Sequence, residues 1–326
     1  MAKERIEYID NAKGILIILM VVGHVFLDDA LVPLVDWIYV FHMPAFFIIN
    51  GICFHYSKNL SKPFWKGSLH LGYTILIPLA FSEAVGALCY IVRFGFTQSI
   101  AGFIYNTLHY HFNNGPDWFL VVLFAADLMF VGLNKLITCK KIQIILAGLI
   151  SLAACVMSRD VFILRSIWLG FGCICLGYYA CKLFTDYDKM YAAIFSFGAT
   201  VLVLWLNGTV SMNTANIHNP LLWAIGAASG TYFVVFLGKR IHSSTLLYIG
   251  KNSLVVMITH QAIMLPIRHY TGIAEFNVLQ GTIVLIITIM LQFPLIYLIN
   301  RFVPFLVGKK MHRKENPISA EGLKNT

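Results

Sequence analysis

Asp10, Lys13 and His24 stand within IDNAKGILIILMVVGH, a stretch that is otherwise almost wholly apolar. At about 100° per residue, the steps from Lys13 to His24 make roughly three helical turns plus 20°, and Asp10 lies about 60° from Lys13. One face of a helix therefore carries all three, with Lys13 and His24 about 16 Å apart along it. A neutral imidazole near pH 7 is suited to take a proton from a hydroxyl. A carboxylate three residues before a lysine can pair with it and lower the cost of charge in lipid. The plainer alternatives are a Lys13 that snorkels to the interface and a His24 that hydrogen-bonds two helices together.

These groups are set among elements built for a membrane. The 326 residues are 59% hydrophobic and 12% charged, with mean hydropathy +0.76. Soluble domains carry about 25% charged residues, so burial of this surface calls for lipid. Ten apolar stretches are long enough to cross a bilayer: 9–27, 34–56, 70–92, 117–134, 142–158, 162–181, 190–206, 219–238, 246–267 and 278–305. The expected fold class is an all-α polytopic helix bundle, with a membrane domain over 1–308 and a polar tail over 309–326. No small-residue cleavage site follows the first stretch, so it is expected to remain as an anchor. With the N-terminus placed in the cytoplasm, twenty of the 24 Lys and Arg residues fall in the inner loops and inner ends. That alternation follows the positive-inside rule and predicts both termini cytoplasmic.

The net charge of +9 is spread over short loops rather than gathered in a patch, which argues against a nucleic-acid partner. The seven cysteines mostly sit inside apolar stretches and form no zinc-type pair, so neither a metal nor a disulfide framework is expected. His109 and His111 form a His-x-His near an outer aromatic segment, but two ligands without a third are poor evidence for a metal. Trp118, with Asp117, lies near the outer surface, where an aromatic side chain is either a sugar platform or part of an interfacial belt. Glu83 and Asp127 are single carboxylates at membrane depth. His260 shares a helix face with Met264 and Arg268 and is either a substrate contact or a contact between helices. Lys58, Lys62 and Lys66 recur every four residues as topology charges or as an inner basic patch for an anionic donor.

RIEYIDNAKGILIILMVVGH (5–24) resembles the first span of the membrane acyltransferase-3 family, and in particular its short sugar O-acetyltransferase branch. There a basic residue precedes an intramembrane histidine with ten residues between, as Lys13 precedes His24. FHMPAFFIINGICF (41–54) resembles the second span, with Met43, Pro44, Phe46, Phe47 and Gly51 in place and Asn50 where the family usually has serine. DWFLVVLF (117–124), LGFGCICLGYYA (169–180) and YIGKNSLVVMITHQAIM (248–264) resemble later spans in the same order; the last contains His260. WKGSLHLGYTILIP, at the start of the third span, offers Lys66 and His70 in place of the arginine pair often found there.

The resemblance implies a membrane acyltransferase, transferring groups other than aminoacyl groups, from acetyl-CoA or another acyl-CoA to a hydroxyl of a cell-surface or exported glycan. No tightly bound cofactor is implied. His24 would be the general base or the acyl carrier, and Lys13 with Asp10 would hold the donor's negative charge or orient the site. Arg5, Asn50, Lys66, Trp118 and His260 are the further residues expected to contact donor or acceptor. The rival reading is a multi-span transporter of a sugar-containing or lipid-linked substrate, whose mid-membrane charges would serve passage rather than chemistry. Inverted-repeat symmetry, which would mark it, is not evident in the sequence.

Overall fold

A computed structural model describes residues 6–27, 31–57, 59–96, 102, 115–273 and 275–309. Arg5, His109 and His111 lie outside the described residues, as does most of the tail. The chain is an all-α polytopic bundle. Its helices are α1 (Glu7–Val25), α2 (Val32–Tyr39), α3 (His42–His55), α4 (Phe64–Leu71), α5 (Ile77–Phe94), α6 (Asp117–Leu136) and α7 (Lys140–Val156). There follow α8 (Phe162–Tyr179), α9 (Cys181–Thr185), α10 (Met190–Asn207), α11 (Pro220–Arg240), α12 (Ser244–Lys251), α13 (Ser253–Thr271) and α14 (Val278–Phe302). Among the described residues there is no strand beyond one isolated bridge, between Ser211 and Asn216.

Among the described residues, eight helical segments are long and apolar enough to cross a membrane, two of them formed by α2 with α3 and by α4 with the first part of α5. The two expected spans outside that group fall short for plain reasons. Helix α7 has 17 residues, and α13 is diluted by Thr259, His260, Gln261, Arg268 and His269. Three expected spans are interrupted. The second breaks between α2 and α3 around Val40 and Phe41, the third passes through a π-helical turn at Gly72–Leu76, and the ninth breaks at Asn252 between α12 and α13. Such breaks are tolerated at membrane depth only where protein or a cavity satisfies the freed backbone. Asn252 shows how: it is 6% exposed, and its side chain bonds Tyr248 O, Asn300 and Lys309.

Element ends follow the local chemistry. Asn219 accepts hydrogen bonds from the N–H groups of Leu221 and Leu222 and so caps α11 ahead of Pro220. Asn277 and Gln280 form a reciprocal capping box on α14. Gly272, at φ 66°, ends α13 in the left-handed region that glycine enters without steric cost.

Helix α1 is the central element, packed against α2, α3, α11, α12 and α13. Its neighbours come very close. A Cβ on Gly250 of α12 would sit 1.8 Å from the carbonyl oxygen of Asp10. Asn11, 5% exposed, donates to the carbonyls of Gly238 and Ile241 and so fastens α1 to the end of α11. In lipid, where helices gain nothing by leaving an apolar solvent, contacts through small residues and interhelical hydrogen bonds supply the association.

Candidate active site

One face of α1 lines two abutting cavities. Lys13, Ile17 and Met20 line the first, of about 190 Å³; Met20, His24 and Leu27 line the second, of about 410 Å³. The spacing of these residues is that of a single helical face. Met20, Met43, Phe119 and Met257 border both cavities and form an apolar waist between the Lys13 chamber and the His24 chamber. Thioethers are flexible and polarizable, so such a waist adapts to what passes it. A third cavity, of about 220 Å³, shares Asn50, Thr74, Ile75 and Leu123 with the Lys13 chamber.

In the His24 chamber, Nδ1 of His24 lies 2.7 Å from Nε2 of His260. The ring centroids are 5.0 Å apart and the planes differ by 7°. A bond that short with centroids that far apart means the rings meet edge to edge in nearly one plane, not face to face. His260 is fully buried, and its Nδ1 lies 3.0 Å from the carbonyl of Val256 and 2.8 Å from that of Met257. A carbonyl only accepts, so in the neutral ring Nδ1 of His260 carries the hydrogen and Nε2 carries the lone pair. That lone pair accepts from Nδ1–H of His24. The lone pair of His24 is thereby placed on Nε2, the atom left for the cavity.

Arg268, two turns along α13, donates from Nη2 to the carbonyl of Val25 at 2.8 Å. It satisfies an orphan carbonyl at the C-terminal end of α1 just after His24. Helix α13 thus grips the end of α1 at two points. Thr259, beside His260, donates to Gln292 of α14 at 2.8 Å, which ties α13 to its other neighbour.

The other expected residues separate clearly. Lys13 lies 3.8 Å from Asp10, a loose ion pair, and faces the smaller chamber; Asp10 itself is 6% exposed and packs beneath α12. Asn50 lines the same chamber as Lys13 and donates to Asp127 at 2.6 Å, so the buried Asp127 carboxyl is held by an amide rather than by a cation. Trp118 lines the His24 chamber. Lys66 borders none of these cavities; its ammonium lies over the ring of its neighbour Trp65. His260 stands behind His24 as its partner rather than on the cavity wall.

Several residues of the chamber were not singled out from the sequence. His42 and Tyr39 line it, as do the backbone segment Thr209–Asn213 and Gln261. That segment is fixed by Ser166 Oγ, which donates to Met212 O, and by the paired backbone bonds of Ser211 and Asn216. Gln261 accepts from the N–H of Gly115 at 3.2 Å and anchors the start of the Trp118 segment. Ser82, on α5, donates to Asp117 at 2.6 Å beneath that segment.

The arrangement can hold an anionic group near Lys13, withdraw a proton at His24 Nε2, and exclude bulk water at the waist between them. Residues 6–301 match the family model described as an acyltransferase domain, Acyl_transf_3. No curated protein and no solved structure matches the chain. The match covers nearly the whole chain and includes the two chambers and both histidines, and the chain therefore belongs to the acyltransferase-3 family and is a membrane acyltransferase.

Proposed function

We propose that this membrane acyltransferase is an O-acetyltransferase of the cell membrane, with both termini cytoplasmic. On this reading it moves an acyl group from acyl-CoA to a hydroxyl of a cell-surface or exported glycan. The observation that carries the reading is the fixed His24–His260 pair beside the chamber of Lys13. A hydroxyl is a weak nucleophile until its proton is removed, and His24 Nε2 is a lone pair held ready to remove it.

The donor enters from the cytoplasmic side, where Lys13 meets its negative charge, and the thioester reaches the waist. The acceptor occupies the His24 chamber. Its O–H bond breaks toward Nε2 of His24 as oxygen bonds the thioester carbon. The C–S bond then breaks, and the thiolate leaves with the electron pair. The new imidazolium donates through Nδ1 to His260, whose own Nδ1–H rests on two carbonyls. The imidazolium proton returns to the thiolate or to water, and His24 regains its lone pair. The aromatic wall of Trp118 and Phe119 suits the apolar face of a sugar ring.

The test is transfer of radiolabelled acetyl from acetyl-CoA to glycan in membranes that contain the protein. Label in the glycan that requires His24 supports the reading. Absence of label with a folded wild-type protein overturns it, and movement of an unmodified glycan instead would make the chain a transporter.

A further inference from the structure

His42 belongs to FHMP, the stretch whose neighbouring residues carry part of the family resemblance, and the chemistry above makes no use of it. It opens α3, is 5% exposed, and lines the same 410 Å³ chamber as His24. Its Nδ1 lies 3.0 Å from the carbonyl of Ile38. As with His260, a carbonyl can only accept. Nδ1 of His42 therefore carries the hydrogen, and Nε2 carries the lone pair. No described residue bonds that Nε2.

Neighbours hold the ring in place. It stacks on Tyr39 with centroids 4.8 Å apart and planes 29° from parallel. Tyr39 is pressed against α1 at Gly23, where a Cβ would come 3.0 Å from Tyr39 Cε1. Gly23 immediately precedes His24. A second imidazole, in the same tautomer as the first, is thus built into one chamber by α2, α3 and α1.

We propose that His42 binds the acyl acceptor, its Nε2 accepting a hydrogen bond from a hydroxyl that neighbours the one deprotonated by His24. This assignment rests on the acyl-transfer reading above. A desolvated lone pair is costly unless a donor meets it. Two lone pairs in one chamber are met together by a ligand with hydroxyls on nearby carbons, which is the pattern of a sugar diol. An alcohol with a single hydroxyl satisfies one of them only. Attachment at two points also decides which hydroxyl is presented to His24, because reaction rates fall steeply when the reacting atoms are displaced. His42 is then a determinant of acceptor class and of the position acylated.

The test uses purified protein in detergent, acetyl-CoA, and the producing cell's own glycan stripped of ester groups by mild alkali. His42→Phe keeps an aromatic ring against Tyr39, slightly larger than imidazole, and removes both nitrogens. It is expected to raise the KM for the glycan about tenfold, the worth of one substrate hydrogen bond, with the KM for acetyl-CoA unchanged within about twofold. His42→Gln, whose carbonyl can accept in place of Nε2, is expected to recover most of that loss. His42→Asn, a methylene shorter, is expected to behave like His42→Phe. The Gln and Asn pair carries the comparison on its own if His42→Phe does not accumulate.

An unchanged glycan KM in His42→Phe, or equal impairment of the Gln and Asn variants, overturns the assignment and leaves the acyl-transfer reading standing. A fall in kcat with both KM values unchanged overturns it as well. A folded wild-type protein that transfers no acetyl overturns both together.

Discussion

Nε2 of His260 sits 2.7 Å from Nδ1 of His24, across 236 residues of chain, and settles which nitrogen of His24 faces the cavity. Without it, nothing among the described residues of the chamber would decide between the two tautomers of His24. With it, the lone pair belongs to Nε2. On the proposed reading, replacing His260 by Leu lets His24 take the wrong tautomer. Loss of tautomer control in a base–orienter pair costs about 10⁴ in rate. Acetyl transfer in membranes, normalised to protein level, should fall by that order. His260→Gln can accept from Nδ1–H and should retain more activity than His260→Leu; equal activities for the two would show that the hydrogen bond is without consequence.

His24 itself should be the most sensitive position. Loss of a general base typically costs about 10² to 10⁴ in rate. His24→Ala should abolish measurable transfer while the protein still inserts. His24→Gln separates chemistry from glue, because an amide keeps a hydrogen bond to His260 but does not titrate near neutral pH. Near-normal transfer by the Gln variant would reduce His24 to a contact between helices.

Lys13 faces the smaller chamber, and its function on the proposed reading is its charge. Lys13→Ala should raise the KM for acetyl-CoA by about tenfold or more, since hydrogen bonds to charged groups are worth about 1.5–3 kcal/mol. Lys13→Arg should do less harm. Asp10→Asn removes the partner 3.8 Å away and should weaken transfer or insertion. Full activity in all three variants would leave Lys13 as a topology charge.

The orientation is open to direct measurement. Reporter fusions after Lys141 and after Lys189 should read cytoplasmic, and a fusion near Asn213 should read external, as the alternation of basic loops requires. Asn213 lines the His24 chamber, so on the proposed reading its side of the membrane is also the side from which the acceptor enters. A cytoplasmic signal at Asn213 would reverse the proposed path of both substrates.

Much of this protein could be read along the chain, because the governing physics is local. Apolar stretches of bilayer length show themselves by composition. The face shared by Lys13 and His24 follows from helical periodicity alone, and the structure places Lys13, Ile17, Met20, His24 and Leu27 along two cavities in that register. The interval from His260 to Arg268 likewise announces one helix face, and both residues do bond α1. Tertiary packing decided the rest. Nothing in YIGKNSLVVMITHQAIM says that His260 backs His24 rather than touching a substrate, since that depends on how close α13 comes to α1. Asn50 meets Asp127 because α3 and α6 pack together, a pairing without any signal in sequence spacing. Lys66 stays outside the cavities because Trp65 and Lys66 stand on the outer side of α4, at 59% exposure for Trp65. His42 was hidden in plain view: its neighbours in FHMP carry the resemblance, but only the break between α2 and α3, the hydrogen bond to the Ile38 carbonyl and the wedge of Tyr39 against Gly23 bring its ring into the chamber. Periodicity states which residues share a helix face; which faces meet depends on close backbone approach at glycines such as Gly250, set by the whole bundle at once.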